Sequence, residues 1–416
     1  MEKSEVKISI VGAGVSGLTC ALELEKHGYS PQIFEATDRV GGRVKTNIYE
    51  EYQLDHGFQV LLTAYPMANK YLKSNDLDLQ YLEDGAILFN DGKSKFGDPF
   101  SNIGFLIPTL LSAKATTLDK LKVFKLRLHL KKKSLEEIFN SEETTTHQYL
   151  KSYGFSSQII ENFFRPFFAG IFLEESLDTS SRMFEFVYKM FAEGKAAIPK
   201  AGMEAIPIHL KSKLKKTTFH FNTRIDKITE GTIFIDGLEP IESEYIVISH
   251  DAENLVANLK NQQTNWTSCD CLYFEVDKRV INSPTIGLLA RKGHFINNIF
   301  YPSSLDSKSK GAKELLSVTV VKSHSLSKVD LVKKVEEELN SLFGIKTERF
   351  LKHYEIPKAL PKLGGLQYDL PSTETKLLDK VFLSGDSLLN GSLNAAMISG
   401  ERAAQAIINS VEGINR

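Results

Sequence analysis

The chain has 416 residues, long enough for two domains each with its own core, and 42% hydrophobic with 25% charged residues is the balance of an ordinary globular protein. The 51 Lys and Arg against 52 Asp and Glu leave a formal net charge of -1, which argues against nucleic acid or another polyanion as partner. Three cysteines, Cys20, Cys269 and Cys271, exclude a disulfide framework and a four-ligand metal site, so no metal is expected. Met1 to Glu5 is charged, with no signal-peptide core, and no apolar run approaches the roughly 20 residues of a spanning helix. The expectation is a cytoplasmic protein without a transmembrane segment.

Val6 to Val11 forms a short apolar strand that runs into Gly12-Ala13-Gly14-Val15-Ser16-Gly17, a Gly-x-Gly-x-x-Gly sequence. A helix over Leu18–His27 follows, then Gly28, and a second strand, Gln32–Phe34, ends on Glu35. Strand, glycine triplet, helix, strand and terminal acid in that order predict a dinucleotide-binding βαβ unit. Gly12 permits the tight turn, Gly14 lets the backbone approach a pyrophosphate, and Gly17 lets helix and strand pack closely. The pyrophosphate would rest on the helix N-terminus at Val15 and Ser16, where unpaired N–H groups favour negative charge. Glu35 is placed to accept a hydrogen bond from a ribose hydroxyl. Arg39-Val40-Gly41-Gly42-Arg43 comes next, a second glycine pair between arginines that a bare nicotinamide site does not need.

With these residues the chain resembles the flavin-containing amine oxidase superfamily, in its phytoene desaturase-like and protoporphyrinogen oxidase-like branch. The resemblance implies FAD, with Glu35 on the adenosine ribose and Gly41, Gly42 and Arg43 helping to hold it. The strand Val381–Leu383, Ser384-Gly385-Asp386, and Asn390 to Asn394 leading into an Ala-rich helix, Ala395 to Asn409, are similar to the family's C-terminal segment. There Asp386 would contact the ribityl chain, with Gly385 and Leu393 beside it, and the helix N-terminus would face the flavin's pyrimidine edge. Leu54-Asp55-His56-Gly57-Phe58 resembles the element that passes beside the isoalloxazine. Phe221-Asn222-Thr223-Arg224-Ile225 resembles the segment whose backbone reaches the adenine at Ile225. The resemblance covers nearly the whole chain, strong at both ends and loose in the middle. No cysteine lies near Leu388 to Asn394, so FAD is expected to be non-covalent.

The expected fold class is α/β: a discontinuous Rossmann-like FAD-binding domain (1–70, 200–262 and 371–416) and an α+β substrate domain from two insertions (71–199 and 263–370). The first insertion reads as largely helical, with Thr117–Lys133, Ser156–Phe168 and Ser180–Ala192 as helices. The second opens with strand-like runs at Cys271–Val276, Phe295–Tyr301 and Leu315–Val321. A helix over Leu326–Phe343, closed by Gly344, and a strand from Phe350 to Ile356, running into Pro357, complete it. Cys269 and Cys271, two apart, would project to one face of a strand, a spacing that suits packing rather than redox chemistry.

Two aromatic clusters, Phe163 to Phe172 and Met183 to Phe191, read either as core or as the wall of an apolar pocket. Lys120, Lys122, Lys125, Arg127, Lys131, Lys132 and Lys133, after the apolar run Ile103–Leu111, read as a solvated helix face or as a peripheral membrane contact that would admit a lipophilic substrate. No catalytic side chain is assigned, since the flavin is the reactive group; His56 and Arg165 are the polar candidates. Aligned on Gly400-Glu401-Arg402-Ala403-Ala404, Ser392 stands where amine oxidases of the family keep an aromatic-cage tyrosine, and no lysine can be assigned to bridge to the flavin. These departures point to hydride transfer from a mainly apolar small molecule to flavin N5, as in a desaturase, dehydrogenase or oxidase. Amine oxidation proper, a non-redox isomerase or cyclase, and a non-catalytic FAD-stabilised binding protein are the alternatives. No motif specifies the electron acceptor.

Overall fold

The computed structural model describes residues 2–90, 92–96, 116–259, 263–291 and 293–414; the run Ile103–Leu111 lies outside them. Ile8–Val11 is buried at every position, and Tyr245–Ile248 at all but its first. Such near-continuous apolar runs belong to a parallel sheet covered on both faces. They form one here: Thr218–His220, Gln32–Phe34, Ile8–Val11, Tyr245–Ile248 and Val381–Leu383 lie side by side in parallel. Lys376–Leu378 adds antiparallel at the edge. This is the Rossmann-like layer expected from the glycine motif, its strands drawn from three separate stretches of chain.

The glycines explain the packing on it. Gly12 sits at φ +107°, a conformation other residues rarely adopt. A Cβ on Gly17 would lie 2.1 Å from the Gly12 carbonyl oxygen, and one on Gly400 would lie 2.2 Å from that of Ser16. The helices Val15–Lys26 and Leu393–Glu412 therefore meet backbone to backbone.

A second sheet of seven strands runs Arg349–Pro361, Trp266–Val276, Glu314–Val320, Ile296–Phe300, Ile286–Leu289, Ala86–Phe89 and Lys93–Phe96. It is antiparallel except where Ile286–Leu289 pairs with Ala86–Phe89. Residues 71–199 are largely helical as expected, among the described residues, but the stretch also supplies two strands to this sheet. Ala86–Phe89 is buried at all four positions, and a short, wholly apolar run carries no period-two alternation to reveal it. Arg349–Pro361 also runs past Pro357, where the sequence suggested an end. As the edge strand it can hold prolines, which lack a ladder N–H, without losing inner pairing.

Thr117–Lys132 is helical as expected, opened by a capping box between Thr116 and Asp119. Its last turn is closed by Lys189, whose buried Nζ donates to the carbonyls of Leu130 (3.1 Å) and Lys131 (3.0 Å). The helix predicted over Ser156–Phe168 is interrupted: Ser157–Ile159, a π turn at Ile160–Phe164, then Arg165–Phe172. Pro166, in the first turn of the last piece, has no N–H for the carbonyl four residues back, and the hydrogen-bond ladder widens there. Lys328–Glu338 likewise ends in a π turn, Leu339–Phe343, and Gly344 closes it at φ +66°. No helix among the described residues is long and apolar enough to cross a membrane.

Candidate functional site

A cavity of about 1410 Å³ runs between the two sheets. Single-ligand pockets hold roughly 300–1,000 Å³, so there is room for a dinucleotide and a second molecule. Gly12, Gly14, Val15, Ser16, Glu35, Gly41, Gly42, Arg43, Gly57, Phe58, Ile225, Gly385, Asp386 and Leu393 all border it. Gly17, also a candidate, does not; it serves the helix–strand contact instead.

Gly14 is the N-cap of Val15–Lys26, at φ −73° and ψ 178°, and a Cβ built on it would meet no atom within 4 Å. The space beside it is cavity, at the end of a helix whose first N–H groups have no intrahelical partner. Glu35 is buried nearby. Its Oε2 accepts from the Ala13 N–H at 2.8 Å, and its Oε1 from the Thr37 N–H at 2.9 Å and the Thr37 hydroxyl at 2.7 Å. These donors fix the carboxylate, and the unused lone pairs can accept ribose hydroxyls. Phe221 to Thr223 closes this end, with the Asn222 N–H on the Thr37 carbonyl and the Thr223 N–H on that of Glu35.

Arg43 borders the same cavity on the side of Asp386. Its guanidinium pairs with the Asp386 carboxylate, donates to the Ala359 carbonyl at 3.1 Å, and stands 5.1 Å above the Trp266 ring. Ser392, also on the wall, caps the Leu393–Glu412 helix: its Oγ accepts from the Ala395 N–H at 3.0 Å and donates to Asn390 Oδ1 at 2.7 Å. Two helix N-termini thus open on one cavity. That suits a group with a pyrophosphate in one part and a ring that gains negative charge in another.

Beyond Asp386 the wall becomes apolar. Phe163, Phe167 and Phe168 border it from the kinked helix, and Met183, Val187, Tyr188 and Phe191 from Ser181–Glu193. The spacing of three and four is the helical face period. Phe164, Phe184 and Phe186 point instead into the core and are fully buried there. The aromatic clusters are therefore both core and pocket wall, residue by residue.

His56 borders the cavity; Arg165 does not. Glu161 holds the Arg165 guanidinium at 3.0 Å and the Glu175 carbonyl accepts from it, so its candidacy as a substrate-facing group is withdrawn. Cys269 and Cys271 are both buried, and Cys269 borders the cavity. Burial pushes its thiol up to about 12, so it is not the thiolate that would attack a flavin. Trp266, His250 and Pro357 to Leu360 also line the site. No motif marks them in the sequence, because they arrive by strand pairing.

A smaller cavity of about 460 Å³ lies behind Gly57, Phe58 and Gln59, which border both. Asp55 faces the smaller one. Its Oδ1 accepts from the Thr46 hydroxyl and from the Met203 N–H at 3.0 Å, yet burial outweighs these bonds and lifts its pKa to about 6.

A family model described as flavin containing amine oxidoreductase matches residues 15–408. The chain is 25% identical over 246 residues to an L-amino-acid oxidase of Crotalus adamanteus, covering 54% of this chain and 45% of that protein. It is 25% identical over 169 residues to protoporphyrinogen oxidase 2 of Arabidopsis thaliana, covering 39% of this chain and 32% of that one. The chain thus spans under half the length of these curated relatives. The solved structure of a CLA-producing fatty acid isomerase from P. acnes superposes with a TM-score of 0.72 at 14% identity, covering 97% of this chain and 98% of that one, a likeness of fold. With the family model matched along nearly the whole chain, the chain belongs to the flavin containing amine oxidoreductase family, with FAD as its cofactor.

Proposed function

We propose that this enzyme dehydrogenates a mainly apolar small molecule rather than a primary amine. One observation carries the reading: the cavity that begins at Gly14 continues into a wall of Phe163, Phe167, Phe168, Met183, Val187 and Phe191. Such a wall excludes water and holds a hydrocarbon surface, and Ser392 contributes a helix cap where a ring would orient an amine. FAD, when bound, accepts a hydride from the substrate. The chain's own part is to seat the dinucleotide on the Val15–Lys26 N-terminus, fix the ribose at Glu35, and neutralise Asp386 with Arg43. Anaerobic mixing is the test. Bleaching of the flavin by an apolar substrate, with a product two hydrogens lighter, is expected; rapid bleaching by primary amines or polyamines overturns the reading. The isomerase reading has the fold likeness in its favour. It predicts a product of unchanged mass and no net bleaching.

Two variants test the seat. Glu35→Ala and Arg43→Ala are each expected to weaken FAD binding about tenfold or more, the effect of losing a charge-assisted hydrogen bond. Dissociation constants from flavin fluorescence will measure it, and wild-type values in both would remove these residues from the site.

The lipophilic reading also bears on the Thr117–Lys132 helix. It lines the cavity with Lys120, Val123, Phe124 and Arg127, while Leu118 (67%), Leu121 (61%) and Leu128 (45%) are exposed on its outside with Lys125. Apolar and basic side chains on one outward face suit contact with an anionic bilayer. Co-sedimentation with phosphatidylglycerol vesicles should occur and fall severalfold in Leu121→Glu/Leu128→Glu; no sedimentation of the wild type rejects the contact.

A further inference from the structure

His56 follows the strand Tyr52–Asp55, and its backbone N–H donates to the Lys45 carbonyl at 2.9 Å. Its ring lies tilted against that of Tyr354, with centroids 4.3 Å apart. Three side chains decide which ring nitrogen carries the proton. Glu204 Oε1 holds Arg39 through Nε at 2.7 Å, and Arg39 Nη2 donates to Asn47 Oδ1 at 2.6 Å. A guanidinium can only donate, so the Asn47 oxygen must face Arg39. The Asn47 amide nitrogen then faces the other way, 2.9 Å from His56 Nε2 and 3.1 Å from the Tyr354 hydroxyl. An amide nitrogen also only donates, so Nε2 accepts, and the proton of a neutral ring sits on Nδ1.

Burial, followed by the charges of Lys45 and Arg39, holds the imidazole below its ordinary pKa; Glu204 opposes this and Lys352 adds to it. The ring is therefore neutral at pH 7. It borders the large cavity, as do Gly57, Phe58 and Gln59 after it.

We propose that His56 is a neutral hydrogen-bond donor, offering Nδ1–H to an acceptor atom (a carbonyl oxygen or ring nitrogen) of a molecule held in the cavity, and that Arg39 and Asn47 are positioning residues that set this tautomer. The inference rests on the reading of the cavity as the FAD and substrate site. The acceptor belongs either to FAD or to the substrate. Asn47→Asp tests the relay, because it puts an acceptor where Nε2 needs a donor and draws the proton to Nε2.

The first measurement is long-range 1H–15N NMR of 15N-histidine-labelled protein between pH 6 and 8, with the His56 signal assigned by its loss in His56→Gln. A pyridine-type Nε2 and a pyrrole-type Nδ1 are expected, and a protonated Nε2 in Asn47→Asp. This experiment needs no bound flavin, so failure to bind FAD would reject the cavity reading and leave the tautomer result standing. The second compares His56→Leu, His56→Gln and Asn47→Asp with the wild type, at equal melting temperature, for FAD dissociation constant, visible flavin spectrum and KM. With FAD as acceptor, His56→Leu and Asn47→Asp weaken FAD about tenfold and shift the flavin bands, and His56→Gln, still a donor, restores part of the loss. With substrate as acceptor, only KM rises. A protonated Nε2 in the wild type, or all three readouts unchanged in His56→Leu, overturns the proposal.

Discussion

Gly14→Val will fold with the melting temperature of the wild-type apoprotein and bind FAD at least about 100-fold more weakly, a difference of about 2.7 kcal/mol. The reasons lie in local geometry. Gly14 has an extended backbone, φ −73° and ψ 178°, which a β-branched residue adopts without strain. Its Cβ would meet no protein atom within 4 Å, so the fold has nothing to lose. The side chain would stand where the pyrophosphate must approach the helix N-terminus. Gly17→Ala and Gly400→Ala supply the contrast. Their new methyl groups would fall 2.1 Å and 2.2 Å from carbonyl oxygens, and overpacking of this kind costs roughly 1–3 kcal/mol or more. Those two should lower the melting temperature of the apoprotein before they affect affinity. If Gly14→Val binds FAD as the wild type does, the pyrophosphate does not lie on this helix.

The second large effect concerns Asp55. A carboxyl group with a pKa of about 6 in the fold, against about 3.8 when unfolded, is protonated more readily in the native state. Between those values the folded chain binds more protons than the unfolded one. The stabilisation is complete below the unfolded pKa and is lost as pH rises through the folded one. Two units correspond to about 3 kcal/mol. Asp55→Asn keeps an oxygen for the Thr46 hydroxyl and the Met203 N–H and carries no charge to desolvate. Urea unfolding at saturating FAD should show the variant close to wild type at pH 4 and more stable by up to about 3 kcal/mol at pH 8. An equal fall in both proteins between these pH values would assign the titration to another group.

The nucleotide end of the site was legible in the sequence because its chemistry is local. Gly12, Gly14, Gly17 and Glu35 lie within one strand–helix–strand unit, where spacing alone fixes geometry. Asp386 and Ser392 were legible through resemblance. That Arg43 would pair with Asp386 depends on folding across more than 300 positions, whereas the Ser392 cap on the Ala395 N–H, three residues on, is local and could have been read from the serine ahead of the helix. Trp266, Ala359 and Leu360 carried no signal, since they reach the wall through strand register. Ala86–Phe89 was lost for a different reason: a fully buried four-residue strand has no period to read. The break before Pro166 could have been read from the proline itself, which sits inside an aromatic pattern that otherwise looks continuous.

The close contact of the first and last helices has a consequence for biosynthesis. Ser16 and Gly400 are 384 positions apart, yet a Cβ on Gly400 would lie 2.2 Å from the Ser16 carbonyl oxygen. At about 5–20 residues per second, a ribosome needs about 20–80 s to deliver the second after the first. Through that interval the glycine-rich turn is exposed without the helix that packs on it or the acid that pairs with Arg43. Cofactor capture is therefore expected late, after the Leu393–Glu412 helix has been made. Until then the parallel sheet lacks the strand Val381–Leu383 and the cover of that helix, and transiently exposed apolar surface of this kind is prone to association.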